Sequence, residues 1–163
     1  MSGQTSFEPG AIPDTSRPLD VIDHRILYEL AHDGRLSIRA LAEKLHISRA
    51  NAYARVDRLI TDRVITGFSA QLNPERVGLG TSAYVMVTIE QNTWREVSDS
   101  LRAIRYVDHI TLVGGDFDVL VLVRAPDNAA LRHLVLEQIQ DVSGVKATRT
   151  WLVFEEVQGA GPH

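Results

Sequence analysis

The spacing of apolar positions changes character midway along the chain. From Leu19, "LDVIDHRILYELAHDG" sets Ile22, Ile26, Leu27 and Leu30 on one helical stripe. Asp20 stands where an N-cap belongs, Asp23 follows as its capping-box partner, and Asp33-Gly34 closes the segment. "LSIRALAEKLHI" repeats the design: Ser37 caps, and Leu41, Ala42 and Leu45 face inward. A third helix opens at Ser48, with Ala52, Val56, Leu59 and Ile60 as its buried face. "VITGF" then has the extended character of a short strand, a natural wing after such a helix.

Beyond Asn73-Pro74 the pattern becomes β-branched. "TSAYVMVTIE" reads as a strand, and "TWREVSDSLRAI" as a helix carrying Trp94, Val97, Leu101 and Ile104. "VDHITLVGG" and "DFDVLVLVRAP" read as two strands joined at Gly114-Gly115. "DNAALRHLVLEQIQ" is a helix capped by Asp127, with Leu131, Leu134, Val135 and Ile139 on one face; "VKATRTWLVFEEV" is a last strand. The order β-α-β-β-α-β predicts a ferredoxin-like sheet with both helices on one face. The fold class is therefore α+β: a winged helix-turn-helix over 19–72, a linker over 73–80 and a ferredoxin-like domain over 81–157. Residues 1–18 and 158–163 carry Ser, Gly and Pro and read as disordered tails.

"FDVLVLV" is apolar almost without alternation, as in a strand covered on both sides. The helices cover one side. A second copy packing sheet to sheet would cover the other, so a homodimer is expected.

Composition narrows the chemistry. There are no cysteines among the 163 residues, which removes disulfides, zinc-thiolate sites and thiol catalysis and fits a cytoplasmic protein. No apolar run reaches the length of a membrane span, and the first 18 residues lack a signal-peptide core. The six histidines are scattered, so no metal site is expected; nor is a cofactor, since no phosphate-cradling or nucleophile-elbow motif occurs.

Net charge is −4, yet Arg35 to Arg63 holds seven Lys/Arg against three Asp/Glu, a local charge of +4. Two short helices with a basic total fit a helix-turn-helix that lays its second helix in the major groove of double-stranded DNA. Ser48 would cap that helix and leave its N-terminus open to a phosphate. Arg49 and Asn51 suit base edges, Arg for guanine and Asn for adenine. Arg58, Arg35 and Arg39 would reach the backbone. Tyr53 is either a phosphate donor or a packing residue. Arg55 is expected to pair with a first-helix carboxylate such as Asp23.

The loop "LVGGDFDVL" allows two readings. Gly114 and Gly115 would bring backbone N–H groups close to a ligand carboxylate, while Asp116 and Asp118, two apart and on the same side of an extended chain, would hold its ammonium group. Alternatively the glycines only make a turn and the aspartates are solvated.

At this point a family resemblance can be stated. "LDVIDHRILYELAHDGRLSIRALAEKLHIS", "RVDRLITDRVITGF", "GGDFDVLVLVRAPD" and "TRTWLVFEEV" resemble, in order, segments of the Lrp/AsnC (feast/famine) transcription regulators, across Leu19 to Val157. The resemblance implies a DNA-binding winged helix-turn-helix, a ligand-sensing domain, amino-acid effectors, and dimers that assemble to tetramers or octamers. It also implies effector binding at the glycine-aspartate loop near a subunit boundary, with Leu112, Asn128 and Trp151 as candidate neighbours; on its own, Trp151 is more often core. His46 and Arg63 depart from the family pattern, which has glycine at both places, and His46 or its neighbour is expected to need an unusual backbone angle. A regulator rather than an enzyme is expected. The alternatives are a small α+β barrel enzyme fused to a helical domain, or a ligand-binding adaptor without DNA contact.

Overall fold

The computed structural model describes residues 18–157; apart from Pro18, the segments expected as tails lie outside the described residues. The chain forms two compact units that part between Ala70 and Gln71.

The first unit holds α1 (Val21–His32), α2 (Ile38–Leu45) and α3 (Arg49–Thr61). Each begins at the cap the sequence supplies. Asp20 accepts from the Ile22 and Asp23 N–H groups, and Asp23 returns a bond to the Asp20 N–H, completing a capping box. Ser37 and Ser48 each accept from the N–H three residues on, at 3.1 Å. Ile26, Leu41, Leu45, Val56 and Leu59 interlock as the core. Ile60, expected inside, is 46% exposed: one residue beyond buried Leu59, it is turned about 100° away from the core. Val64–Phe68 is also a correction, since no strand forms there. Its backbone finds no partner within the described chain to make the ladder a wing strand requires.

Asp23 is fully buried, and that is possible only because it is surrounded. Arg55 Nη1 donates to Asp23 Oδ1 at 2.7 Å and to both oxygens of Asp20 at 2.7 and 2.8 Å. Arg58 Nη2 donates to Asp23 Oδ2 at 2.5 Å. The expected Arg55–Asp23 pair thus forms within a four-residue network that fastens α3 to the start of α1. Breaking a buried pair of this kind typically costs roughly 3–5 kcal/mol, because a charge is left unpaired. Lys44 adds an exposed tie between α2 and Glu29 of α1 at 2.6 Å.

His46 ends α2 in the left-handed region, at φ 55° and ψ 42°, and Arg63 follows α3 at φ 56°. The unusual angle expected at His46 or its neighbour thus falls on His46 itself, and Arg63 adopts one as well. The His46 turn lets the Ile47 N–H reach back to the Ala42 carbonyl at 3.0 Å, which closes the helix.

The second unit is a four-stranded antiparallel sheet of order β2-β3-β1-β4, with β1 (Thr81–Ile89), β2 (Val107–Leu112), β3 (Val119–Ala125) and β4 (Val145–Val153). A 3-10 turn at Glu75–Val77 precedes it. The helices α4 (Trp94–Ala103) and α5 (Asn128–His133) pack on one face; α5 continues as a π-helical stretch over Leu134–Ile139. Leu131, Leu134, Val135 and Ile139 lie on the buried side, as their spacing predicts. Val85, Val87, Val119, Val121 and Val123 meet these helices.

Strand alternation and register put Tyr84, Met86, Leu120, Leu122, Trp151 and Val153 on the opposite face, together with Arg124 and Arg149. Trp151 is 59% exposed there, so it is not a core residue. Arg124 is held by Glu156 at 2.7 Å and Asp108 at 3.2 Å, which raise its pKa from the ordinary value and draw the segment after β4 onto the sheet.

Two expectations follow from these contacts. The Arg55 guanidinium, with the Asp23 N–H, lowers the Asp20 pKa from 3.8 to about 2. Burial pushes Asp23 upward, but the Asp20 N–H, Arg55 and Arg58 outweigh it and hold that carboxyl low as well. Stability from this cluster is therefore complete above pH 3.8 and drains away as pH falls toward about 2. Asp20→Asn keeps a competent cap but loses the charge; its urea midpoint should lie below wild type near neutral pH and converge with it as pH approaches about 2. A gap that does not change with pH would contradict this. His46→Gly should raise the thermal midpoint, worth roughly 0.5–1 kcal/mol, because the left-handed angle no longer carries a Cβ clash; a lowered midpoint would show that the imidazole has a compensating contact.

Candidate DNA-binding and effector sites

The first turn of α3 starts at the Ser48 cap and is exposed through Arg49, Ala50 and Asn51. Its N–H groups and the positive end of the helix dipole are available to an anion. Arg49 and Asn51 lie about 200° apart around the helix axis and so flank the exposed face on opposite sides. Tyr53 sits beside Arg49 and is 64% exposed, which leaves its packing reading without support in this unit. Arg35 and Arg39 are exposed; Arg39 forms an i,i+4 pair with Glu43 at 2.9 Å. A pair so open to solvent contributes little and is readily exchanged.

Arg58 does not belong to this group. Its side chain is 26% exposed and committed to Asp23, so the expected backbone contact gives way to a structural role. Three residues after Arg55 and seven after Asn51, it stands in the row flanking the buried face. Asn51 has a partner of its own: Arg55 Nε donates to Asn51 Oδ1 at 2.9 Å.

The glycine-aspartate loop joins β2 to β3 as a hairpin link, with Gly115 at φ 147°. It separates its two aspartates. The Asp118 side chain accepts the Ile89 N–H at 2.9 Å, while its backbone bonds Val87 and Val113. It therefore secures the end of β1 and does not share a ligand position with Asp116. Asp116 is exposed and lines a cleft of about 270 Å³ with Phe117, Met86, Thr88, Ala147, Thr148 and Arg149.

Of the expected effector residues, only Asp116 lines this cleft. Leu112 ends β2, 51% exposed; Asn128 follows Asp127 beyond the far end of β3; Trp151 lies farther along β4, opposite Tyr84. The strand length alone, about 3.3 Å per residue, keeps Asn128 from the loop.

Sequence reading missed Arg149, Met86 and Phe117. Arg149 faces Met86 across the β1–β4 ladder, a pairing distant in sequence and set by register. The cleft thus offers a cation, a carboxylate and an apolar wall in about the volume a small zwitterion needs. Among the described residues, no group of three or more His, Cys, Asp or Glu is placed to hold a metal, and no helix is long and apolar enough to cross a membrane.

Two family models match the chain in order: the AsnC-type helix-turn-helix domain over residues 19–60 and the Lrp/AsnC ligand binding domain over residues 82–161. The HTH-type transcriptional regulator AldR of Mycolicibacterium smegmatis is 38% identical, over 94% of this chain and 92% of its own length. The leucine-responsive regulatory protein of Escherichia coli is 34% identical, over 87% and 88%. The feast or famine regulatory protein from M. tuberculosis, solved in complex with L-methionine, has a TM-score of 0.82 at 31% identity, covering 90% of this chain and 99% of that one. A transcriptional regulator from Neisseria meningitidis, also an L-methionine complex, has a TM-score of 0.81 at 27% identity, with coverage of 87% and 94%. With both domains matched in order and relatives above 30% identity along most of its length, the chain belongs to the Lrp/AsnC family of transcriptional regulators.

Proposed function

We propose that the protein is a cytoplasmic, sequence-specific DNA-binding transcriptional regulator whose assembly or DNA binding responds to an amino acid. The observation that carries this reading is the capped, exposed first turn of α3, set in a helix-turn-helix of the matched family. In this reading α3 enters the major groove, Arg49 and Asn51 meet base edges, and Arg35, Arg39, Tyr53 and the Ser48 helix end meet phosphates. Membership in a family of regulators favours it over the enzyme and adaptor alternatives.

The second unit takes the sensing role. Arg149 binds the α-carboxylate through its planar fork, Asp116 takes the ammonium group, and Met86 and Phe117 form the wall for an apolar side chain. The L-methionine complexes of two structural neighbours support an effector of this class. Two copies packing through the sheet face of Tyr84, Leu122 and Trp151 form a dimer, and dimers associate into tetramers or octamers; the exposed Trp151 on that face supports such a contact. Dimerisation would place the two recognition helices on half-sites about 34 Å apart, or a multiple of that.

Arg35→Ala should weaken operator and unrelated duplex alike and reduce the slope of log affinity against log salt by about 0.9. An unchanged slope would remove Arg35 from the contact. Titration calorimetry with L-methionine should show binding to wild type, and Asp116→Asn and Arg149→Leu should each weaken it by about tenfold or more, as expected when a charge-assisted bond to a ligand is lost. Equal affinity in all three proteins would place the effector elsewhere.

A further inference from the structure

The β1–β3 ladder ends at the Val87–Val119 pair, while β1 runs on to Ile89 with only β4 beside it. Amides two apart along a strand point to the same neighbour, so the Ile89 N–H faces the side of β3, where β3 has not yet begun. The Asp118 side chain takes the place of the missing strand: its Oδ2 accepts that N–H at 2.9 Å. The Asp118 N–H donates to the Val87 carbonyl at 3.1 Å, and the Asp118 carbonyl accepts the Val113 N–H at 2.8 Å. Three bonds therefore pin the residue that follows Asp116 and Phe117, two side chains that line the effector cleft. The Ile89 N–H is neutral. What it needs from residue 118 is an acceptor at the right reach, and a negative charge is not required.

We propose that Asp118 is a positioning residue for effector binding: as a substitute strand partner for Ile89, its side chain holds the loop so that Asp116 and Phe117 stay beside Met86, Thr88 and Arg149. This rests on the effector reading given above. The loop carries Gly114 and Gly115, the latter at φ 147°, and glycine backbone has a wide conformational range unless something outside it limits that range. Without the tie to Ile89, the Asp116 carboxylate meets a ligand ammonium group only after the loop has been ordered, and affinity falls by that cost. A direct contact between Asp118 and the ammonium group needs the charge of residue 118. The positioning role needs its length. Substitution separates the two.

The test is titration calorimetry with L-methionine on full-length wild type, Asp118→Asn, Asp118→Glu and Asp118→Ala, at a temperature where circular dichroism shows each protein folded. Asp118→Asn keeps the reach and an acceptor oxygen, so its affinity should stay within about threefold of wild type. Asp118→Glu keeps the charge but is one methylene longer; it should weaken binding by about tenfold, as should Asp118→Ala. Amide exchange at Ile89 gives a readout independent of ligand: slow in wild type and Asp118→Asn, faster in the other two. Should Asp118→Glu or Asp118→Ala fail to fold, the other, set against Asp118→Asn, decides the matter. Tenfold weakening in Asp118→Asn, or wild-type affinity in Asp118→Glu or Asp118→Ala, overturns the proposal while the effector reading stands. Absence of L-methionine binding to wild type overturns the effector reading and this one with it.

Discussion

A carboxylate removed entirely from water, with two guanidiniums closed over it, sets the geometry of the N-terminal domain. Asp23 belongs to the first turn of α1, and Arg55 and Arg58 to the second half of α3. Apolar packing among Ile26, Leu41, Leu45, Val56 and Leu59 drives the helices together but tolerates sliding and rotation, because dispersion and hydrophobic contact have little directionality. Charge-assisted bonds between planar groups do not tolerate it. The network thereby fixes the rotation of α3 about its own axis, which decides that Arg49 and Asn51 face outward. Arg55 serves both ends, closing the buried cluster with Nη1 and orienting Asn51 with Nε.

The C-terminal domain solves a different problem. Its valine-rich β1 and β3 lie at the centre of the sheet, with helices on one face. The other face mixes aromatic and aliphatic side chains with Arg124 and Arg149. Arg124 is neutralised from within the chain by Glu156 and Asp108. Arg149 has no comparable ion pair among the described residues, and it lines the cleft opposite Met86 with Asp116. This difference supports the proposed role of Arg149 toward a negatively charged ligand group.

The left-handed residues His46 and Arg63 bracket α3 and its approaches. Each occupies a conformation glycine would adopt with less strain, and Arg63 adds a cation after the helix that the DNA-binding reading places in the groove.

Much of the architecture could be read from the sequence because it rests on short-range rules. The caps at Asp20, Ser37, Ser48 and Asp127 act over three residues, and helical stripes and strand alternation repeat within a few more, so element order, cores and the βαββαβ topology were legible. So was the strain at His46, since a turn of that shape is a local demand. Tertiary structure decided whatever depends on partners distant in the chain. It committed Arg58 to Asp23, gave Asp118 to the Ile89 N–H, and left the segment after α3 without a strand partner among the described residues. It also brought Arg149 to Asp116 through the register of β1 and β4. A charged side chain looks alike in the sequence whether it grips a buried carboxylate or waits for a ligand; only the arrangement of folded elements around it makes the difference.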